Sequence, residues 1–158
     1  MSTSRTSIDF VSVVPLDEAQ WIALLARMIA LLPAVDGKHS QFSRLSVRVV
    51  LDDEMSMLHE RYSKISGTTD VLTFVQHDPH AGVEVDLAIC ADEAARRSAD
   101  LGHSLENELA LYAVHGLLHA AGFNDHNESD ARSMHLQEDR ILTELGIGAV
   151  YVPPGEKP

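Results

Sequence analysis

The sequence predicts an α+β fold in which a small four-stranded mixed β-sheet packs against about five α-helices. Short β-branched segments and segments with helical periodicity support this class, and they run strand, helix, strand, helix, two strands and then helices. The composition, 45% hydrophobic, is typical of a folded globular chain. We therefore expect the 158 residues to form a single domain, residues 1–158, with a frayed tail at 150–158.

The first half of the chain is predicted to alternate strands and helices. Residues 7–14 and 44–51 are β-branched runs, and in the second run apolar and polar residues alternate with the period of a half-buried strand. Between them, Asp17 begins a capping-box pattern, and apolar residues recur at helical spacing until Pro33. This pattern predicts a long amphipathic helix between two strands.

A second helix and a hairpin are predicted next. Asp52 or Asp53 is placed to cap a helix that reaches about Tyr62. Strands follow at 71–77 and 83–90, separated by a turn that contains proline and glycine. The remaining sequence predicts three helices, at 92–101, 104–121 and 129–145, each followed by a glycine.

Charge and targeting patterns exclude several classes of protein. Twelve Lys and Arg against 24 Asp and Glu give a net charge of −12, which argues against a uniformly basic nucleic-acid surface and against binding to anionic membranes. No apolar run is long enough to span a bilayer, and the N-terminus lacks the layout of a signal peptide. The single cysteine, Cys90, is expected to be a small buried hydrophobe. We expect a cytoplasmic protein without a membrane partner.

Two of the nine histidines stand one helical turn apart. The spacing of His115 and His119 places both imidazoles on one helical face, where they can share an ion. A histidine pair at this spacing alone is more often two surface residues of a helix than a pair of metal ligands. However, Gly122 is suited to end the helix in a left-handed conformation, which returns Asp125 or His126 toward the same ion. This combination predicts a metal site.

Three protein ligands and a vacant fourth position are the arrangement of a catalytic zinc ion. The vacant position holds a water molecule whose pKa the metal lowers. The sequence therefore predicts a zinc-dependent hydrolase.

The stretch from His115 to His126, HGLLHAAGFNDH, resembles the H-G-x-L-H-L-x-G-Y-D-H motif of the YbeY family of metal-dependent endoribonucleases. Other stretches resemble further motifs of this family in the same order: Leu58–Tyr62 (L-N-x-x-Y), Thr69–Phe74 (T-D-V-L-S-F), Val85–Ile89 (G-D-I-x-I), and Met134 with Glu138 (M-x-x-x-E). The resemblance covers roughly residues 45–145.

The resemblance implies a single-strand-specific endoribonuclease. Its expected roles are ribosomal RNA maturation, including the 3′ end of the small-subunit RNA, and ribosome quality control. Its expected partners are single-stranded RNA, ribosomal RNA, and the small ribosomal subunit with its proteins. The expected cofactor is Zn²⁺, with one ion in each subunit.

The sequence departs from the family motif at the third ligand. The family places a histidine ten residues after the first one, where this chain has Asp125, and His126 follows one position later. The ungapped alignment favours Asp125, and a one-residue insertion in the turn would leave the role to His126. A carboxylate is an acceptable zinc ligand, and its negative charge would lower the pKa of the bound water less than a third imidazole does.

A second departure concerns the contact with phosphate. The arginine that the family carries six residues before its T-D-V block is Ser63 here. Arg61 and Lys64 are candidate replacements, and a solvated helix face explains them equally well. An RNA-cutting protein of this charge would need a local positive groove, for which Arg44 and Arg48 are further candidates.

Two other functions fit parts of the pattern. The ligand spacing also resembles that of zinc peptidases, but those enzymes need a glutamate directly after the first histidine, where this chain has Gly116. A non-catalytic ribosome assembly factor would use the metal only to hold the turn. The sequence identifies no general base outside the ligand set.

Overall fold

The computed structural model describes residues 5–150 and confirms the predicted α+β class. In chain order its elements are β1 (Ser7–Ser12), α1 (Glu18–Leu31), β2 (Arg44–Val50), α2 (Asp52–Ser63), β3 (Val71–Asp78), β4 (Gly82–Cys90), α3 (Ala91–Leu101), α4 (Leu105–Ala120) and α5 (Glu128–Glu144). The tail predicted to fray lies, from residue 151 onward, outside the described residues. Within residues 5–150, no helix has both the length and the apolar character needed to cross a membrane.

The four strands form one mixed sheet in the order β1-β2-β4-β3. β1, β2 and β4 are parallel, and β3 is antiparallel to β4. The β3–β4 pair is the predicted hairpin, and Gly82 has the positive φ, +86°, that its turn requires. The crossover of β2 to β4, which encloses both α2 and β3, was not predictable from periodicity.

One face of the sheet carries the main core. Inward residues of the strands pack there with α1, α4 and α5 in a single apolar cluster. α4 is the central helix of this layer, and most of its residues are buried. Because α4 lies directly against β3 and β4, residues on its other faces have fixed positions relative to the sheet.

Within residues 5–150, α2 covers one end of the second face. A smaller apolar cluster there consists of Val50, Met55, Ala88 and Cys90. Cys90 is fully buried at the end of β4, as a small hydrophobe, and its Sγ accepts a hydrogen bond from the backbone N–H of Glu93 at 3.5 Å. The prediction for this cysteine is therefore confirmed.

The predicted cap of α2 is wrong. The N-cap residue is Leu51, which has no side-chain capping bond, and Asp52 is already the first helical residue. The backbone N–H of Asp52, which has no side-chain cap, donates instead to the Asp92 carboxylate at 2.8 Å. The side chain of Asp52 pairs with Arg96 at 2.7 and 2.9 Å, and this hydrogen bonding lowers the pKa of Asp52 to about 2. Tertiary contacts with α3 thus replace the local cap.

Candidate metal centre

A stripe of polar side chains follows one face of the otherwise apolar helix α4. The stripe consists of Glu108, Tyr112, His115 and His119, which are four, three and four positions apart. This spacing aligns side chains along one face of a helix. Since the surrounding α4 positions are buried in the core, the two histidines are held at the edge of a rigid scaffold.

The chain reverses direction immediately after the second histidine. Gly122 has a φ of +108°, a conformation that favours glycine. Its N–H donates to the carbonyl oxygen of His119 at 3.0 Å, and the N–H of Phe123 donates to that of Leu118 at 3.0 Å. These two bonds form a Schellman motif, the helix ending that the glycine predicted. The turn returns Asp125 to the face that carries the histidines.

Three potential ligand atoms converge at this turn. The Nε2 atoms of His115 and His119 are 3.1 Å apart. Asp125 Oδ2 lies 3.7 Å from Nε2 of His115, and Asp125 Oδ1 lies 3.8 Å from Nε2 of His119. Among residues 5–150, this trio is the group of His, Cys, Asp and Glu whose ligand atoms lie within 4.8 Å of one another.

The other ring nitrogen of each histidine is already bound. Nδ1 of His115 lies 2.6 Å from Glu138 Oε1, and Nδ1 of His119 lies 3.1 Å from the carbonyl oxygen of Phe123. Both partners are acceptors, so each Nδ1 acts as the donor, and in the neutral imidazole each Nε2 presents a lone pair. Two lone pairs at this distance repel each other, so either a proton or a metal cation must lie between the two Nε2 atoms.

The arrangement fits a zinc ion. Ligand atoms at zinc distances of about 2.0 to 2.1 Å in a tetrahedron are about 3.3 Å apart, close to the spacing of this trio. The Asp125 side chain is 41% exposed, which leaves an approach from solvent for a fourth ligand. Burial opposes a positive charge on His115, but the hydrogen bond and charge of Glu138 outweigh it and raise the pKa of His115. The same charges favour a metal cation.

Glu138, on α5, is the buried anchor of the site. It is fully buried, and its second oxygen, Oε2, accepts a hydrogen bond from Nδ1 of His135 at 2.8 Å. A buried carboxylate is stable only when it is paired, and here two imidazoles share it. The sequence shows Glu138 in the M-x-x-x-E pattern with Met134. Nothing in the spacing indicates that Glu138 contacts His115, because this contact forms only when α5 packs on α4.

His126, the alternative third ligand, stands apart from the group. It is exposed, and its backbone N–H donates to the side chain of Asn124 at 3.3 Å. The turn therefore brings Asp125 to the two helix histidines and leaves His126 outside the trio.

The predicted phosphate contacts come from the end of α2 and from β2. The guanidinium of Arg61 is 5.5 Å from the centre of the Tyr62 ring, and Lys64 is the left-handed C-cap residue of α2. Arg44 pairs with Asp86 at 3.8 Å, and Arg48 pairs with Glu54. Both strand arginines alternate with core residues of β2, so they lie on the sheet face that α4 does not cover.

A cavity of about 390 Å³ opens beside His115. It lies between α3, α4 and α5 and is bounded by the segment before β3, and we call it the His115 cavity. Its lining residues are Thr68, Thr69, Asp70, Glu93, Arg97, Glu108, Leu111, Tyr112, His115, His135 and Glu138. Burial and the nearby charge of Glu108 raise the pKa of Tyr112, so its phenol stays protonated.

Gly116 explains how α4 approaches the sheet. A Cβ atom at this position would lie 2.9 Å from Cδ2 of Leu87 and 3.1 Å from Oγ1 of Thr73. Position 116 therefore faces the sheet, away from the ligand atoms. The general-base glutamate that zinc peptidases carry directly after the first histidine has no room here, which removes the structural basis for that alternative.

Replacing Gly116 with alanine is expected to destabilise the protein. Overpacking of a core typically costs about 1 to 3 kcal/mol, against a gain of about 1 kcal/mol in helix propensity. We expect a net loss of up to about 2 kcal/mol in the free energy of unfolding, measured by urea denaturation. Ala95→Gly, at an exposed position of α3, separately measures how much the difference in helix propensity between alanine and glycine changes the free energy of unfolding. A Gly116→Ala variant as stable as the wild type would contradict the close approach.

Fold and site together define an α+β protein with a helix-borne His-His-Asp group of the three-ligand type found in catalytic metal centres. Comparison with known proteins identifies the family within this class. The family model described as Endoribonuclease YbeY matches residues 9–146. The chain belongs to the YbeY family.

Relatives agree with this assignment, and a solved structure agrees with the fold. The chain is 29% identical over 151 residues to Endoribonuclease YbeY of Staphylococcus epidermidis, covering 89% of this chain and 97% of that protein. It is 30% identical over 138 residues to the protein of that name from Oceanobacillus iheyensis, covering 80% and 89%. A Thermotoga maritima protein solved in solution has a similar fold, with a TM-score of 0.57 and 20% identity, covering 95% of this chain and 99% of that one.

Proposed function

We propose that this protein is a zinc-dependent endoribonuclease that cleaves single-stranded RNA. The observation that carries the proposal is the convergence of His115, His119 and Asp125 at spacings close to those of a tetrahedral zinc site. Membership of the YbeY family, whose relatives bear the name endoribonuclease, supports RNA as the substrate.

The proposed cellular role follows from the family. We propose that the protein acts in the cytoplasm, in maturation of ribosomal RNA, including the 3′ end of the small-subunit RNA, and in ribosome quality control. Its proposed partners are the small ribosomal subunit and associated proteins. A net charge of −12 supports a need for such partners, because an acidic protein binds free RNA weakly and in a salt-sensitive way.

The residues of the site have distinct roles in the proposed reaction. When bound, zinc would supply a Lewis acid that lowers the pKa of water and stabilises charge on phosphodiester oxygens. Glu138 fixes the tautomer and orientation of His115, and the carbonyl oxygen of Phe123 does the same for His119. Asp125 contributes one negative charge to the ligand set, which neutral imidazole would not.

Cleavage of single-stranded RNA with and without a chelator tests the proposal. We expect the purified protein to cut the RNA, the chelator to stop cleavage, and added zinc to restore it. His115→Ala should lack activity because it removes one of two imidazole ligands. His80→Ala, an exposed histidine of the β3–β4 turn, is the matched control and should cut at the wild-type rate.

Two outcomes would contradict the proposal. Cleavage that survives both the chelator and His115→Ala would show that the metal group does not carry the reaction. A wild-type protein that binds zinc but does not cut any single-stranded RNA would favour the non-catalytic assembly factor instead.

A further inference from the structure

β3 forms an open edge of the sheet. It stands last in the strand order, so one side of β3 pairs with β4 and the other side has no neighbouring strand among residues 5–150. Proteins usually protect such an edge by making the strand short or by placing lysine, proline or a β-bulge in it. β3 has none of these features, because its 8 residues, VLTFVQHD, pair with β4 in an unbroken register.

The register shows which backbone groups of β3 face outward. The N–H of Cys90 donates to the carbonyl oxygen of Asp70 at 2.9 Å, and hydrogen-bonded pairs alternate along an antiparallel ladder. The even-numbered residues of β3 therefore bond to β4, and the backbone groups of the odd-numbered residues point away from it. The first outward N–H, that of Val71, is accepted by Asp70 Oδ1 at 2.7 Å. The outward groups of the next three odd-numbered residues have no hydrogen-bond partner within residues 5–150: Thr73, Val75 and His77.

Apolar side chains flank this edge on both faces of the sheet. Val75 is 37% exposed on one face. On the other face, the ring of Phe74 packs edge-on against the ring of Tyr62 at 4.9 Å, and Tyr62 is 56% exposed. An extended chain beside β3 would cover these groups with alternate side chains while its backbone bonds to the outward peptide groups.

Charge determines which chain fits this edge. Residues 65–95, which contain β3 and β4, include six Asp and Glu but no Lys or Arg. Salt bridges engage Asp86 and Glu93. Three acids at the ends of β3 and on β4 form no ion pair with any residue of 5–150: Asp70, Asp78 and Glu84. This acidity disfavours RNA, and it also disfavours a second copy of a chain whose net charge is −12, whereas it favours a basic polypeptide.

We propose that the outer edge of β3 binds an extended basic segment of a partner protein, which adds a fifth strand to the sheet. Main-chain hydrogen bonds to the outward groups of Thr73, Val75 and His77 supply affinity, and the acids around β3 select lysine and arginine in the partner. The proposal does not depend on ribonuclease activity, because β3 contributes no residue to the His-His-Asp group.

Titration of the full chain with a synthetic peptide, followed by NMR of the backbone amides, tests the proposal. The probe is a blocked heptapeptide of alternating lysine and valine, and its control alternates glutamate and valine. In the free protein, the amide protons of Val75 and His77 should exchange rapidly with solvent, unlike those that bond to β4. We expect the lysine peptide to bind with a Kd of roughly 1 mM or below. At about ten times its Kd it should slow exchange of both amides roughly tenfold, because only the unbound form exchanges.

Substitutions at one outward position separate strand addition from folding. Val75→Lys places a positive charge opposite the basic peptide and should weaken its binding roughly tenfold. Val75→Pro removes an outward N–H but no bond to β4, a position at which an edge strand accepts proline, and should abolish the slowed exchange at His77. Val11→Lys makes the same change of charge at an exposed position of β1, the opposite edge, and should bind the peptide as the wild type does.

The proposal would be overturned if the lysine peptide caused no change at β3 at millimolar concentration, or if the glutamate peptide protected the same amides equally. Equal weakening by Val75→Lys and Val11→Lys would contradict it as well, because the loss would then reflect overall charge. Slow exchange of Val75 and His77 in the free protein, together with a dimer in gel filtration, would show that a second copy occupies the edge instead.

Discussion

Asp125→Ala is expected to lose bound zinc and RNA cleavage, whereas His126→Ala is expected to retain both. Asp125 oxygens lie 3.7 and 3.8 Å from the two imidazole Nε2 atoms, while His126 is exposed and outside the group. Removing a direct ligand should weaken zinc binding by more than the roughly 10- to 100-fold typical of the residues that support ligands. Zinc per chain, measured by elemental analysis after gel filtration, provides the readout.

The two variants control for each other. Both side chains are solvent-accessible in the same turn, so neither truncation should unfold the protein, which a thermal melt would confirm. Asp125→His restores the family's residue type at this position and should retain zinc. If only His126→Ala loses zinc, the third ligand is His126 and the turn must rearrange when metal binds.

Glu138→Gln is expected to reduce zinc affinity by about 10- to 100-fold although the residue does not itself reach the metal position. The buried carboxylate binds Nδ1 of His115 at 2.6 Å and Nδ1 of His135 at 2.8 Å. Glutamine keeps one acceptor oxygen but loses the negative charge and places an amide N–H₂ opposite one of the two imidazoles. That imidazole must change tautomer or lose its partner, and an unsatisfied buried polar group costs about 1 to 3 kcal/mol.

Competition with a chromophoric chelator measures the affinity, and urea denaturation measures the stability. Glu144→Gln makes the same chemical change on α5 at a residue that pairs with Arg140 rather than with a histidine, so it should leave zinc affinity unchanged. The positioning role would be refuted by a folded Glu138→Gln protein that binds zinc as tightly as the wild type does.

Local patterns were sufficient to predict most of the fold. The three C-terminal helices end at Gly102, Gly122 and Gly146 because each glycine adopts the positive φ that a helix ending requires. The predicted cap of α2 was wrong because the residue that replaces it is distant in sequence. Its backbone N–H is satisfied by Asp92, 40 residues away in sequence, and no local pattern contains that contact.

The same distinction between local sequence patterns and tertiary contacts applies to the candidate site. His115, His119 and Asp125 lie within one helix end and its turn, so sequence spacing could place them together. Glu138 reaches the site from α5, and its contribution depends on how α5 packs against α4. Tertiary packing therefore determines the parts of the site that spacing could not reveal.

The Schellman turn at Gly122 also determines how the site would exchange its metal. All three candidate ligands belong to an eleven-residue stretch, residues 115–125, that ends in a solvent-accessible loop. Local fraying of the last turn of α4 would separate Asp125 from the histidines while the sheet and the core remained folded. Metal release would then be a local opening event with its own free energy, and bound metal would slow hydrogen exchange at this helix end more than in the strands.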